Sequence, residues 1–180
     1  MEGFIAGRYE LTANGVKPGA PLTNDTGVNW YQYYARIKQL GANNKVKTRM
    51  ICGNQWDVTC NWLAGSGYSI TDSSLWGNYY NSTVTGNDGS TLKAANTSTK
   101  LNTGITNYTK ANNIYDLAGN CFEWTQEANV TDFRVGRGGD CVYSGSDIPV
   151  SYCRSDSPAY SDYNDLGTRV TLYVAGQGAV

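Results

Sequence analysis

NIYDLAGNCFEWT (residues 113–125), RVGRGGD (134–140) and LGTRVTLYV (166–174) are the stretches that decide how this chain folds. Apolar residues recur regularly in the first and last of them, which is typical of packed structure. The stretch between the second and the third is rich in Asp, Ser, Tyr, Gly and Pro and has no periodic apolar pattern. We therefore expect residues 112–174 to form a display region, in which loops and short strands are held by regular structure at both ends.

The composition limits what such a surface can bind. The chain has 180 residues, enough for a core without disulfides or metals, and we expect a single domain over residues 1–180. Charged residues make up only 16% and the net charge is −1, which argues against nucleic acid or an anionic membrane as partner. The 14 Tyr and 5 Trp residues suit an adaptable binding surface, although an ordinary loop-rich domain with buried tyrosines has the same composition.

Two absences narrow the function further. The chain has no histidine, which excludes Ser-His and Cys-His nucleophile pairs and His-ligated zinc sites. No apolar run approaches the ~20 residues of a membrane span, and GluGlyPhe after Met1 is not typical of a signal peptide. We therefore expect no membrane insertion.

The five cysteines indicate free thiols made in a reducing compartment. They form no CxxC pair, and an odd number cannot all pair internally. Cys52 and Cys60 on one helix would be ~12 Å apart, beyond disulfide reach. One bridge, between Cys141 and Cys153, is the alternative.

Two helices are predicted in the first half of the chain. Residues 28–40 carry apolar side chains at three- and four-residue spacing, with Asp25 or Thr26 as N-cap and Gly41 as a stop. A second helix is predicted over residues 54–64, with Gly65 as its stop.

Strands are predicted near both ends, and irregular structure in between. Residues 4–12 are strand-forming, and Val170, Leu172 and Val174 alternate as a final strand, so we expect the first and last strands to pair. Residues 65–112 are polar and lack periodicity, which predicts loops pinned by Trp76 and Tyr79.

The order of several segments resembles one known family. GRYELT (residues 7–12), TRMICGNQWDVTCNWLA (48–64) and the three stretches quoted first are similar to the formylglycine-generating-enzyme, or sulfatase-modifying factor, family. The resemblance covers nearly the whole chain in order. It implies an α+β, C-type lectin-like fold of the formylglycine-generating-enzyme type, with two helices, small antiparallel sheets and extensive irregular loops.

The enzymes of this family bind copper through two cysteines shortly after the GlyGly motif. Here Cys141 and Cys153 are twelve residues apart, and Tyr143 aligns with the first ligand. Because Cu(I) needs soft thiolates placed together, we expect no oxidase activity and no required cofactor. A residual copper site at Cys141 and Cys153 is the alternative.

The same fold family supplies the variable proteins of diversity-generating retroelements. Their variable region runs from just before an RGG-like motif to a closing Gly-X-Arg, and this chain has both features in that position. The resemblance implies a non-catalytic, receptor- or adhesin-type binding protein with a variable part over about residues 129–165. Its partner would be a protein or cell-surface ligand, and its location a phage particle or a prokaryotic cell surface. A fixed lectin-like domain that binds glycans or proteins is the alternative.

Codon arithmetic tests this resemblance on the residues themselves. Adenine mutagenesis of AAC or AAT leaves a final pyrimidine, which excludes Lys, Glu, Gln, Met and Trp. None of the five occurs in residues 129–176, although they make up about one residue in six elsewhere in the chain. A loop rich in Asp, Ser and Tyr would also tend to lack them, but the gap favours a diversified protein.

Most of the expected contact residues are Tyr, Asp or apolar side chains, which supply rigid contact area and hydrogen-bond acceptors for basic or amide-rich epitopes. The expected set is Asp140, Val142, Tyr143, Asp147, Ile148, Tyr152, Ser155, Asp156, Ala159, Tyr160, Asp162 and Tyr163. A scaffold role is expected for Arg137, Gly138, Gly139, Gly167 and Arg169.

The resemblance also implies a calcium site near YDLAGNCFEW. Asp116 and Glu123 would supply carboxylates, together with the backbone oxygens of Gly119 and Cys121. In the alternative, Asp116 caps a turn and Glu123 pairs with an arginine such as Arg134. The Glu-Pro-Asn and Gln-Pro-Asp sugar-binding signatures are absent, so carbohydrate binding has no direct support.

Overall fold

A computed structural model describes residues 3–23, 28–43, 46–159 and 165–173; for Asn43 and residues 155–157 it describes only the backbone. Within these ranges the chain forms two helices and eleven strands. The helices are α1 (Trp30–Asn43) and α2 (Gly53–Gly65). The strands are β1 (Phe4–Ala6), β2 (Thr48–Met50), β3 (Val84–Thr85), β4 (Thr91–Lys93), β5 (Lys110–Ala111), β6 (Ile114–Tyr115), β7 (Phe122–Val130), β8 (Phe133–Arg137), β9 (Cys153–Pro158), β10 (Leu166–Thr168) and β11 (Val170–Tyr173).

Two larger sheets organise these strands. One has the order β1-β11-β2 and is antiparallel, and the other has the order β10-β7-β8-β9. Two hairpins, β3-β4 and β5-β6, complete the set. The expected small antiparallel sheets are confirmed except at β10, which pairs in parallel with β7 on the edge of the sheet opposite β9.

The first and last strands pair, as predicted, with Phe4 opposite Tyr173. The first strand is shorter than the expected residues 4–12, since it ends at Ala6. Beyond it, the backbone N–H of Leu11 donates to the carbonyl of Thr168 at 2.9 Å. The chain therefore leaves the first sheet and joins the edge of the second.

The cap of α1 corrects the sequence prediction. Asn29 is the N-cap: its Oδ1 accepts the backbone N–H of Gln32 at 3.1 Å, and Oε1 of Gln32 accepts the backbone N–H of Asn29 at 2.8 Å. Reciprocal bonds of this kind satisfy two donors at the first turn. Asp25 and Thr26, the predicted caps, lie outside the described residues.

Two buried clusters form the core. The first joins α1 to the second sheet through side chains such as Tyr33, Ile37, Phe122 and Trp124. The second joins α2 to the long loop region, where Trp76 and Tyr79 are buried as predicted. The indole Nε1 of Trp56, on α2, donates to the carbonyl of Val150 at 2.9 Å. Helix α2 is therefore bonded directly to the C-terminal half of the chain at Val150.

All five cysteines are free, as predicted. Cys60, Cys121 and Cys141 are buried, and Cys153 is exposed. The alternative bridge between Cys141 and Cys153 is not formed. None of the helices within the described ranges is long and apolar enough to cross a membrane.

Candidate functional site

Two glycines direct the backbone into residues 140–152, which we name the display loop. Gly138 and Gly139 have φ values of +94° and +71°, a region that L side chains rarely adopt. A Cβ on Gly139 would collide with the carbonyl oxygen of Ile148 and lie 2.8 Å from Cε1 of Tyr79. The predicted close backbone approach at GlyGly is confirmed. It brings Gly139, just before the display loop, into contact with the backbone of Ile148, near the end of the loop.

Tyr79 ties the two ends of the display loop to the core. Its buried hydroxyl donates to the carbonyl of Gly138 at 2.8 Å and lies 2.9 Å from the Ser73 hydroxyl. The Ser73 oxygen in turn accepts the backbone N–H of Val150 at 2.9 Å. Burial raises the pKa of Tyr79, so the hydroxyl stays protonated. The anchoring groups therefore lie outside the display loop.

Residues 70–82 also hold the middle of the display loop. The backbone N–H of Tyr80 donates to the carbonyl of Tyr143 at 2.9 Å, and that of Ser73 donates to the carbonyl of Gly145 at 3.1 Å. The N–H of Gly145 donates to Oδ1 of Asn81 at 3.0 Å. The display loop contributes only backbone atoms to these bonds, so the path of its middle does not depend on its exposed side chains.

Four predicted contact residues on the display loop have exposed side chains: Val142, Tyr143, Asp147 and Tyr152. Val142 is 49% exposed, Tyr143 42% and Tyr152 39%. Tyr143 also packs edge-to-face with the buried Phe122, at 6.3 Å between ring centroids. This contact orients the tyrosine while its outer edge stays accessible. The loop therefore presents two tyrosines, one apolar side chain and one carboxylate.

Three other predicted contact residues lie inside. Asp140 and Ala159 are fully buried, and Ile148 is half-buried against the first core cluster. Sequence reasoning placed them on the surface because this segment has no periodicity that separates inward from outward positions. Asp140 and Ala159 therefore offer no side chain to a ligand, which corrects the expected contact set.

Asp140 instead shapes the first turn of the display loop. Its Oδ1 accepts the backbone N–H groups of Val142 at 2.8 Å and Tyr143 at 3.2 Å. Burial, reinforced by the neighbouring Asp165 carboxyl, raises the pKa of Asp140 to about 7. The two accepted hydrogen bonds oppose this shift. The Asp140 carboxyl therefore has a pKa near neutral, and its role is to hold the turn.

The remaining predicted contact residues cannot be placed on this surface. Tyr160, Asp162 and Tyr163 lie outside the described residues. Ser155 and Asp156 belong to β9, the outer strand of the second sheet, and their side chains are not described. Their contribution to binding stays a prediction.

Two arginines of the predicted scaffold make ion pairs beneath the site. Arg169 is fully buried, and its Nη2 lies 2.6 Å from Oε1 of the equally buried Glu123. Arg137 makes two bonds to Glu127, at 2.9 and 3.0 Å, and one to Asp57 on α2, at 3.2 Å. Since a planar guanidinium can pair with a carboxylate through two bonds, both arginines fix geometry as well as charge.

The carboxyls that were expected to bind calcium have other partners. Both oxygens of Glu123 accept from Arg169, not from Arg134 as one alternative had it. Asp116 sits at φ +56° and accepts from the Thr103 hydroxyl at 2.8 Å. No group of three or more Asp, Glu, Cys or His within the described residues is placed to hold a metal ion. The arrangement does not fit a calcium site that uses Glu123.

Copper chemistry at Cys141 and Cys153 fits equally poorly. Burial, and secondly the Asp140 carboxylate, raises the pKa of Cys141 to about 11. Burial also raises the pKa of Cys153 on β9. Copper binds the thiolate form, and both shifts disfavour that form.

Sequence reasoning missed two exposed side chains beside the display loop. Leu75 is 86% exposed and Tyr80 is 39% exposed, while Trp76 and Tyr79 in the same LWGNYY segment are buried. The available signal was an apolar island inside an otherwise polar stretch, but only two of its members were identified as important. A separate apolar cavity of about 480 Å³ lies between β1 and α2 and is lined by Val58 and other side chains.

No protein-family model and no curated protein matches this chain, but solved structures do. The crystal structure of CarF aligns with a TM-score of 0.66 and 14% identity, over 87% of this chain and 69% of CarF. Treponema denticola variable protein 1 aligns with a TM-score of 0.53 and 17% identity, over 81% of this chain and 69% of that protein. The Major Tropism Determinant U1 variant aligns with a TM-score of 0.57 and 14% identity, over 94% of this chain and 50% of that protein. The chain therefore has the C-type lectin-like fold predicted from its sequence.

Proposed function

We propose that this protein is a non-catalytic display protein whose C-terminal surface loops bind a protein or cell-surface ligand and are diversified by a retroelement. The observation that carries the proposal is that different residues fix the backbone of the display loop and form its exposed surface. Its backbone is held by groups outside it, such as Tyr79 and Ser73, and by its own buried Asp140, while Val142, Tyr143 and Tyr152 keep exposed side chains. Exposed substitutions of this kind usually change stability by less than about 0.5 kcal/mol. Many sequences can therefore share one backbone.

The names of two proteins of like fold support this function. One is called a variable protein and the other a tropism determinant in a variant form. The exposed side chains of the display loop could likewise vary between copies of the protein and so recognise different ligands. The side chains present at the four exposed positions, Val, Tyr, Asp and Tyr, are also all reachable from AAC or AAT by adenine mutagenesis.

The chemistry of the side chains supports binding over catalysis. The chain has no histidine. Within the display loop, the raised pKa of the Cys141 thiol disfavours a nucleophilic thiolate, and Asp140 is engaged by two backbone N–H groups. A binding protein of this type would act at the surface of a phage particle or a prokaryotic cell.

The test is to sequence the gene with a few kilobases on either side. We expect a near-copy of the sequence that encodes residues 125–174, with differences only at template adenines, beside a reverse-transcriptase gene. The codons for Val142, Tyr143, Asp147 and Tyr152 should be among those that differ. If no such copy exists and sister isolates show no adenine-specific variation, diversification is excluded, and a fixed lectin-like binding domain is what remains.

A further inference from the structure

Leu75 and Tyr80 are large hydrophobic residues whose side chains are exposed to solvent and are not part of the core. Leu75 is the most exposed large hydrophobic residue among those the structure describes. Single exposed apolar residues are common on protein surfaces, but neighbouring ones indicate an interaction site. Both residues belong to residues 75–80, which lie outside the expected variable part at 129–165. Their position relative to the display loop therefore matters.

Hydrogen bonds place both residues beside the display loop. The N–H of Tyr80 donates to the carbonyl of Tyr143, so the backbones of these two exposed tyrosines are in contact. Leu75 follows Ser74, whose backbone nitrogen would lie 2.7 Å from a Cβ on Gly145. The exposed side chains of the two segments therefore belong to neighbouring stretches of one surface.

The turn that carries Leu75 is rigid. The Ser74 carbonyl accepts the Ser82 hydroxyl at 2.6 Å, and the Ser74 hydroxyl accepts the side-chain amide of Asn81 at 2.9 Å. On the other side, the indole of the buried Trp76 donates to the carbonyl of Ser69 at 2.9 Å. The backbone on both sides of Leu75 is therefore fixed before a ligand binds. A segment whose backbone is already fixed loses less entropy when a ligand covers it.

The two segments that form this surface carry only acidic charges of their own. Residues 50–92 and 138–153 contain no Lys or Arg at all, whereas each contains aspartates. Asp72 lies three residues before Leu75 and is exposed, and Asp147 on the display loop is exposed as well. An acidic rim of this kind favours a partner with basic residues around an apolar centre.

Two basic side chains lie nearby but are engaged. Lys93 is buried against the carbonyls of Tyr79 and Ser82. Arg154 lies over the Phe122 ring and pairs with Asp165.

We infer that Leu75 and Tyr80 are fixed apolar anchors of the same contact surface. They would contribute a constant part of the binding to a globular protein partner with an apolar patch and a basic rim. Val142, Tyr143, Asp147 and Tyr152 would supply the part that varies. This inference rests on the proposed function. A constant contact at Leu75 and Tyr80 has meaning only if the display loop varies and binds different ligands.

The experiment is a display library with Val142, Tyr143, Asp147 and Tyr152 randomised. It is selected against lysozyme, a basic globular protein, and in parallel against serum albumin, an acidic one. Leu75→Ser is then introduced into each selected clone. Val58→Ser is the matched control, since Val58 is 56% exposed and lines the separate cavity beside α2. Thermal unfolding of each variant shows whether folding is preserved.

We expect Leu75→Ser to weaken lysozyme binding about tenfold or more in most clones, because an interface leucine loses its apolar contact. Tyr80→Ser should act in the same direction, and Val58→Ser should change affinity less than about twofold, as expected away from an interface. Lysozyme should yield more binders than albumin.

Each contrary result has its own meaning. If the selected clones bind lysozyme equally well with Leu75 and with Ser at position 75, the anchor inference is wrong and the display function stands. An excess of albumin binders would overturn the basic partner. A library that yields no binders to either protein would overturn both the display function and the anchors.

Discussion

The display loop and the Arg169 ion pair lie in one molecule but are built in opposite ways. In the display loop, bonds to Tyr79 and to residues 70–82 hold the backbone, and several side chains face solvent. At the ion pair, the side chains of Arg169 and Glu123 are themselves the connection, and both are fully buried. Arg169 also donates to the carbonyls of Gly7 and Tyr115, so it joins three parts of the chain.

The difference explains where this fold can change. A side chain that carries no structural bond can be replaced at little cost, whereas a buried charge cannot lose its partner without a large penalty. In the chain, β9 and β10 separate the display loop from Arg169. Tolerance to substitution is therefore expected to differ between these two parts of the C-terminal region, and stability measurements can compare them.

The largest effect is expected at the ion pair. Arg169→Met should reduce the free energy of unfolding by about 3–5 kcal/mol, because it leaves the buried Glu123 without its partner. Urea unfolding measures this loss. Arg8→Met is the control, since Arg8 is exposed and its guanidinium lies over the Tyr9 ring, a contact worth about 1 kcal/mol or less. If both variants lost the same free energy of unfolding, the Arg169 ion pair would not be a special structural connection.

The next largest effect is expected where the display loop begins. Gly139→Ala should cost about 3 kcal/mol, because the new Cβ meets the carbonyl of Ile148 and the ring of Tyr79. Gly89→Ala provides the matched comparison, since Gly89 also has a positive φ, of +83°, but open space around it. Its cost should be about 1 kcal/mol, from the backbone conformation alone. Thermal unfolding of both variants separates the steric from the conformational part.

A pH-dependent effect is expected at Asp140. Its folded pKa, about 7, lies above its ordinary value of 3.8, so folding favours the protonated carboxyl. This stabilisation is complete below about pH 4 and is lost as the pH rises through about 7. Asp140→Asn keeps an oxygen that accepts the Val142 and Tyr143 N–H groups but carries no charge.

The variant should therefore be nearly as stable as the parent protein at pH 4 and more stable at pH 8, with the difference growing by up to about 1.4 kcal/mol per pH unit between pH 4 and pH 7. Urea unfolding at a series of pH values measures the difference. A difference that stays constant between pH 4 and pH 8 would show that Asp140 does not titrate in this range.

The smallest effect is expected on the display loop itself. The triple variant Val142→Ser, Tyr143→Ser and Tyr152→Ser should lose less than about 0.5 kcal/mol per position, with Tyr143 the most sensitive because of its contact with Phe122. Urea unfolding measures the stability, and binding of selected clones should be lost. A loss of several kcal/mol would mean that these side chains hold the loop.

Much of the fold could be predicted because it follows from local patterns. The helix over residues 53–65 differs from the predicted range by one residue at each end, since apolar spacing and Gly65 define it locally. The pairing of the first and last strands also follows from their alternation. The cap of α1 was assigned to the wrong residue because several polar residues precede the helix, and only the reciprocal bond with Gln32 identifies Asn29.

The candidate site was less predictable, for a physical reason. In an irregular segment, no period separates inward from outward positions, so Asp140 and Ala159 were grouped with Val142 and Tyr143. The partner of Glu123 lies 46 residues away along the chain, and no spacing rule distinguishes Arg169 from Arg134. Leu75 and Tyr80 were not considered because their neighbours on the surface are distant in sequence.

The sequence by itself determined the fold class, the presence of the two helices, the pairing of the terminal strands and the free cysteines, since periodicity and composition act over short distances. Gly41, the predicted stop of the first helix, instead lies inside α1. Its order of motifs also indicated the C-type lectin-like fold. Only the tertiary structure decided which side chains of the display loop face solvent, which carboxyls are buried, and that Tyr80 lies beside Tyr143. These properties depend on which segments pack together, and packing joins residues that no local pattern connects.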